Sequence, residues 1–368
     1  MTMAVARTCC VALLLLQAAQ TPYQERDFLT RIRRLTVEGR RAGEGYWAPD
    51  GKRLVFQSER EPGNPFYQIY VLDLASGETR RISPGTGKTT CAFFRPGTSE
   101  IEFASTHADP NSKKLQEDEL AFRASGKERR YAWDYDEHMD IWSYDEKTGA
   151  MKQLTTARGY DAEGSYSPDG QSIVFSSMRS AYDHPLDEKE KKWLTENPSN
   201  FAEIYIMKAD GSQQKRLTTS WGYDGGPFFT ADGKKNVWRR FDEQGLIADI
   251  WTMNPDGSDQ KQITTFGSMS WAPYIHPSGE YFIFASNKLG FENFELFIVD
   301  KDGAKEPVRV TYTDGFDGLP VPSPDGTTLA WTSNRAGGSG GQIFLAQWNH
   351  AKAMEALKNA PPRKPAKS

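Results

Sequence analysis

The chain reads as an all-β protein, a six-bladed β-propeller built from four-stranded antiparallel blades. Three observations predict this. A short unit, a tight turn followed by an apolar strand, recurs six times. Its spacing is close to one propeller blade. The aromatic and Gly-rich composition suits short strands joined by turns.

The clearest copy is Ser167-Pro168-Asp169-Gly170 followed by Ile173-Val174-Phe175. Pro168 pre-sets φ, Asp169 bonds back to local backbone and Gly170 takes the positive φ. The other copies turn at Pro49, Pro96, Ala231, Pro277 and Pro324. From one turn to the next the steps are 47, 72, 63, 46 and 47 residues, so two repeats carry insertions. Each unit continues into a second apolar run, a hairpin such as Asp210-Gly211 or Asp256-Gly257, and a closing Leu/Ile/Val-Thr/Ser.

One blade cannot bury both of its faces, so neighbours must stack. The sixth blade lacks an outer strand, because Ile343–Trp348 runs directly into Asn349-His350. Arg31-Ile32-Arg33-Arg34-Leu35-Thr36 carries the missing pattern at the other end of the chain. The N-terminal strand is therefore expected to close the ring.

The sequence divides into three parts. Residues 1–20, with the apolar run Cys9–Leu16, read as a secretory signal peptide too short to span a bilayer. Residues 27–350 form the propeller, with insertions at 107–138 and 180–202. Residues 351–368 are a C-terminal tail, read as largely disordered after a short helical run. The expected location is periplasmic or otherwise exported, with no transmembrane segment in the mature chain. Once the signal is removed, Cys91 alone remains and no disulfide can form. The net charge of −4 offers no basic face for nucleic acid.

Six Pro-Asp-Gly units with Ile-Tyr-Val-x-Asp-like strands and closing Arg-x-Leu-Thr runs resemble the TolB-type β-propeller family. That resemblance implies a protein- or peptide-binding propeller of the cell envelope; the chain is expected to be a monomer. TolB works with the Tol–Pal system and has an α/β domain ahead of its propeller, which this sequence does not show. Similar repeats occur in propellers attached to prolyl-oligopeptidase-like and aminopeptidase-like hydrolases, but no Gly-x-Ser-x-Gly elbow is present here.

Strand alternation places the loops leading into the inner strands, and both insertions, on one face. Three of these loops read Gly159-Tyr160-Asp161, Gly222-Tyr223-Asp224 and Gly315-Phe316-Asp317, each Asp seven residues before its turn. Glu163 and Glu44 share a register five before theirs. The site reading is an acidic, aromatic-lined channel mouth formed by Asp161, Asp224, Asp317, Glu163, Glu44, Tyr160, Tyr223 and Phe316. It would take a protein or peptide partner, a sugar, or Ca²⁺ or another divalent cation, with no cofactor required. The structural alternative makes each Gly-aromatic-Asp a turn whose Asp caps local amides.

Long loops on a rigid scaffold often carry function, although charged runs are commonly just solvated surface. Trp133, Tyr135 and Trp193 are read as pinning the insertions to the rim. His107, His138 and His184 fall on these loops and are the candidate transition-metal ligands of a rival reading, without supporting spacing. That rival is a metal-assisted lyase or hydrolase acting on carbohydrate or peptide, or an accessory propeller to a peptidase. No nucleophile, base and oxyanion group are identified together, so binding is favoured over catalysis.

Overall fold

A computed structural model of the protein describes residues 23–127, 135–337 and 340–364. The expected signal peptide and Trp133 lie outside the described residues. Six separate four-stranded antiparallel sheets form the propeller. Their inner strands are Arg41–Trp47, Thr89–Phe94, Asp161–Tyr166, Asp224–Phe229, Ser270–Ile275 and Asp317–Pro322.

The turns form as their residues dictate. Ser167 Oγ and the Gln171 amide both donate to Asp169 Oδ1, at 2.6 and 3.0 Å, and Gly170 has φ +68°. The second strands that follow are buried on both faces, because each is packed between neighbouring blades. Tyr281–Ser286 is wholly buried, whereas the outer strand Thr79–Arg81 is exposed throughout.

The ring closes as expected. Leu29–Arg34 is the outer strand of the sixth blade, pairing Leu29 with Trp348 and Arg34 with Phe344. One side-chain device repeats in every blade. The Thr or Ser that ends the outer run (Ser83, Thr155, Thr218, Thr264, Thr311, and Thr36 for the last blade) accepts an amide from the third strand at 2.8–3.0 Å. The recurring Leu/Ile/Val-Thr/Ser ending thus latches the outer strand to its neighbour.

The tail departs from expectation. His350–Asn359 is a helix whose Ala353, Ala356 and Leu357 are buried against Phe28, Tyr281 and Trp348. Beyond it, Pro362 bridges Lys305, and Arg363 Nη1 donates to Ile263 O at 2.8 Å. Over 351–364 the tail is therefore a strap along blades five and four. An apolar helix face and a guanidinium on open strand carbonyls outweigh the polar composition; residues 365–368 are outside the described set.

Both insertions join second to third strands and lie on the predicted face. The first carries the helix Ser112–Ala124, which reaches back to blade one: Arg123 Nη1 donates to Glu59 Oε1 at 2.5 Å. The second carries Glu188–Glu196, started by a capping box between Asp187 and Glu190. Tyr135, Leu186, Trp193 and Leu194 pack against the buried apolar cluster that includes Met139, Tyr160, Met178, Phe201 and Tyr223, so Tyr135 and Trp193 do pin the insertions. Among the described residues no helix is long and apolar enough to cross a membrane.

Candidate functional site

Each inner strand carries a β-bulge, visible as a register shift in all six sheets. The bulged residue takes positive φ: Glu44 (51°), Cys91 (52°), Glu163 (58°), Gly226 (58°), Ala272 (49°) and Leu319 (54°). All are five residues before their turns, the register that singled out Glu44 and Glu163. Such a bulge re-aims one side chain per strand, here towards the central channel.

Two residues further along, Tyr46, Phe93, Phe228 and Tyr274 meet. Tyr46 is 5.4 Å from Phe93, 5.5 Å from Phe228 and 6.5 Å from Tyr274, centroid to centroid. These rings come from blades one, two, four and five, so their contact spans the axis and plugs it. The channel is a funnel open towards the insertions.

Above the plug, blade four sends Arg239 into the space that Gly226 leaves. A Cβ on Gly226 would lie 2.0 Å from Arg239 Nη1. Arg239 Nη2 donates to Glu163 Oε1 and to the Tyr223 hydroxyl, both at 2.7 Å. Tyr223 donates in turn to Glu163 Oε1 at 2.5 Å, and the Gly226 amide to Oε2 at 2.6 Å. Glu44 accepts from the Tyr46 hydroxyl at 3.1 Å. Burial pushes the Glu44 carboxyl up; the Cys91 thiol opposes this and the Glu163 charge adds to it. Burial likewise pushes the Cys91 thiol up. The structure thus gathers Glu44, Glu163, Tyr160 and Tyr223 with Cys91 and Arg239. Phe316 stands apart, packed on Trp271 and Phe294.

The three aspartates have a different place from the one expected. Asp161, Asp224 and Asp317 begin equivalent strands at one level, but each is at most 1% exposed. Asp224 is held by Arg240 through Nε and Nη2 (2.7 and 2.8 Å) and by Trp238 Nε1 (3.0 Å). Asp317 takes Arg335 (2.8 Å) and Trp331 Nε1 (3.0 Å). Asp161 takes Arg179 (2.6 Å) and Ser177 Oγ (2.5 Å). They clamp the inner strand to the second, so they offer no open carboxylate to Ca²⁺ or a partner. Burial still raises the Asp161 and Asp224 carboxyls despite those arginines.

The clamp has a sequence signal of its own: Ser-x-Arg at the end of the second strand, at Ser177-x-Arg179 and Ser333-x-Arg335. His107 stands at the corresponding position of blade two, its Nδ1 2.9 Å from Ser105 Oγ and its ring 4.2 Å from Trp142. Burial lowers its pKa. His138 is beside Asp136 on the first insertion, and His184 lies between Asp183 and Glu190 on the second. Among the described residues no three His, Cys, Asp or Glu side chains gather as a metal site, so His107, His138 and His184 do not converge.

The mouth face has one further property. Among the described residues, the exposed large apolar side chains other than Ile32 and Met151 lie on its loops and insertions: Val37, Leu115, Leu120, Trp221, Leu246, Ile247, Leu289 and Phe291. Phe291 is 70% exposed.

No protein-family profile matches the chain. Among curated proteins it is similar to an uncharacterized protein of Agrobacterium fabrum, 27% identical over 216 residues, 53% of this chain and 64% of that protein. It is also similar to the uncharacterized peptidase YuxL of Bacillus subtilis, 24% identical over 150 residues, 38% of this chain and 22% of that protein. The chain thus spans less than two thirds of the length of either relative. Among solved structures it is similar to TolB from Agrobacterium tumefaciens, with TM-score 0.56, 20% identity, and 84% and 90% of the two chains covered. TolB from Acinetobacter baumannii gives 0.55 and 17%, covering 88% and 65%. An oligogalacturonate lyase in complex with manganese gives 0.51 and 15%, covering 90% and 96%. The chain has the TolB-like six-bladed β-propeller fold.

Proposed function

We propose that this protein is an exported binding scaffold that captures a protein or peptide partner over the mouth of its funnel. The observation that carries this reading is the concentration of exposed apolar side chains on one face. These side chains come from the loops of several blades around one mouth, and exposed apolar surface gathered on one face is a mark of an interaction site. Here it rims a channel that the aromatic plug closes at depth, so a ligand enters and leaves by the same opening. The apolar run Cys9–Leu16 and the likeness to TolB support export.

The test is capture from an exported-protein fraction by the wild-type chain and by a Trp221→Ser/Phe291→Ser variant. The expected result is a specific partner retained by the first and lost by the second. Equal retention by both would overturn the assignment of this face. The match to YuxL favours a second reading, an accessory propeller to a peptidase; a peptidase as the captured protein would support it.

A further inference from the structure

We infer that the funnel recognises a single cationic group of its peptide partner, a terminal amine or a basic side chain, through Glu44. This rests on the proposed scaffold role and specifies its ligand.

The charges in the funnel do not balance. Glu163 and Arg239 neutralise each other through a direct contact of 2.7 Å. Arg239 is further engaged by the Tyr223 hydroxyl. Glu44, on blade one, has no Lys, Arg or His within ion-pair distance among the described residues; its side-chain contacts are the Tyr46 hydroxyl and the Cys91 thiol, and the Arg239 charge, already paired with Glu163, acts on it only at longer range. One acidic group is therefore left without an ion pair, and Glu44 keeps part of its surface exposed.

Glu102 is a second, independent sign. It is fully buried, and neither of its carboxylate oxygens has a hydrogen-bond partner among the described residues. It lies against Gly164, the residue after the Glu163 bulge: a Cβ there would come within 2.7 Å of Glu102 Oε2. Buried polar groups are normally satisfied; Glu44 and Glu102 are two acidic side chains near Glu163 with no cationic partner of their own, and burial raises both carboxyls.

The remaining wall suits such a group. Arg239 already stands 4.9 Å above the Tyr223 ring and 5.6 Å from that of Trp271. Tyr46 and Tyr160 add further rings to the lining. Aromatic faces with a carboxylate among them are the setting in which alkylammonium and guanidinium groups are recognised. The plug limits entry to the end of a chain or one long side chain, with the rest of the peptide resting on Trp221, Ile247 and Phe291.

The experiment is selection of random dodecapeptides, displayed with free amino termini, on the full-length protein and on Glu44→Gln. Selected sequences are then made as synthetic peptides with free or acetylated amines and lysines. The wild-type protein is expected to enrich peptides whose affinity falls at least tenfold on acetylation. In Glu44→Gln, with unchanged circular dichroism, that difference should shrink to about twofold. Acetylated peptides binding as tightly as free ones, or discrimination surviving in Glu44→Gln, would overturn the inference. Binders that need no cation but are lost in Phe291→Ser would sink this inference and leave the scaffold reading standing. Failure to select any peptide counts against both.

Discussion

Thr36 Oγ1 donates to Gln342 Oε1 at 2.7 Å across 306 positions of sequence, and the Ile343 amide donates back to Thr36 at 2.9 Å. The N-terminal strand segment thereby completes the last blade with the same latch that five other blades make locally.

Thr36→Val keeps the shape of the latch and removes its hydroxyl, stranding the Gln342 side chain and the Ile343 amide. A loss of about 1–3 kcal/mol of stability is expected. Urea denaturation checks this, and a cost near zero would show that ring closure rests on backbone pairing alone.

Glu203 holds the latch position of blade three, and burial, reinforced by Asp224, pushes it up to about 7. Its ordinary value is 4.5. The folded state keeps the proton through that window while the unfolded chain has lost it. Native stability therefore falls as pH rises from about 4.5 to 7 and flattens above. Blades one and six carry Gln68 and Gln342 here, so Glu203→Gln is sterically compatible. It should remove a slope worth on the order of 3 kcal/mol in total, measured by denaturation between pH 4.5 and 8. An identical slope in the variant would refute the assignment.

Asp224→Asn tests whether the aspartates clamp blades. It leaves the Arg240 guanidinium beside a neutral partner in a buried setting. A loss of about 3 kcal/mol or more is expected, in keeping with broken buried ion pairs. Full stability with lost partner binding would return Asp224 to the role of ligand.

Gly226→Ala would meet both backbone and neighbour. Its φ of +58° is strained for alanine, and the new Cβ would collide with Arg239. We expect a loss of about 2 kcal/mol or more. Displacement of Arg239 should also free Glu163, read as tighter binding of a cationic peptide.

Leu357→Ala removes the largest apolar contact of the strap helix. Its cost should be about 2–3 kcal/mol. A thermal melt unchanged by the substitution would restore the expectation of a largely disordered tail.

The sequence by itself determined the repeat: turn chemistry at Pro168-Asp169-Gly170 and its copies, the blade-ending Thr or Ser, and the spare outer-strand pattern at residues 31–36. These are local signals repeated at fixed spacing, so they could be read without coordinates. It also placed Glu44 and Glu163 in one register and put both insertions on one face. The tertiary structure alone decided which carboxylates are available. Asp161, Asp224 and Asp317 look equivalent to ligands along the chain, but each meets an arginine on or just after the adjacent strand, and such pairing depends on where side chains point after folding. Arg239 entered the site because Gly226, 13 residues earlier, left room for it. The tail helix found an apolar floor assembled from Phe28, Tyr281 and Trp348. Those outcomes depend on contacts between distant segments, and composition and periodicity carry no record of them.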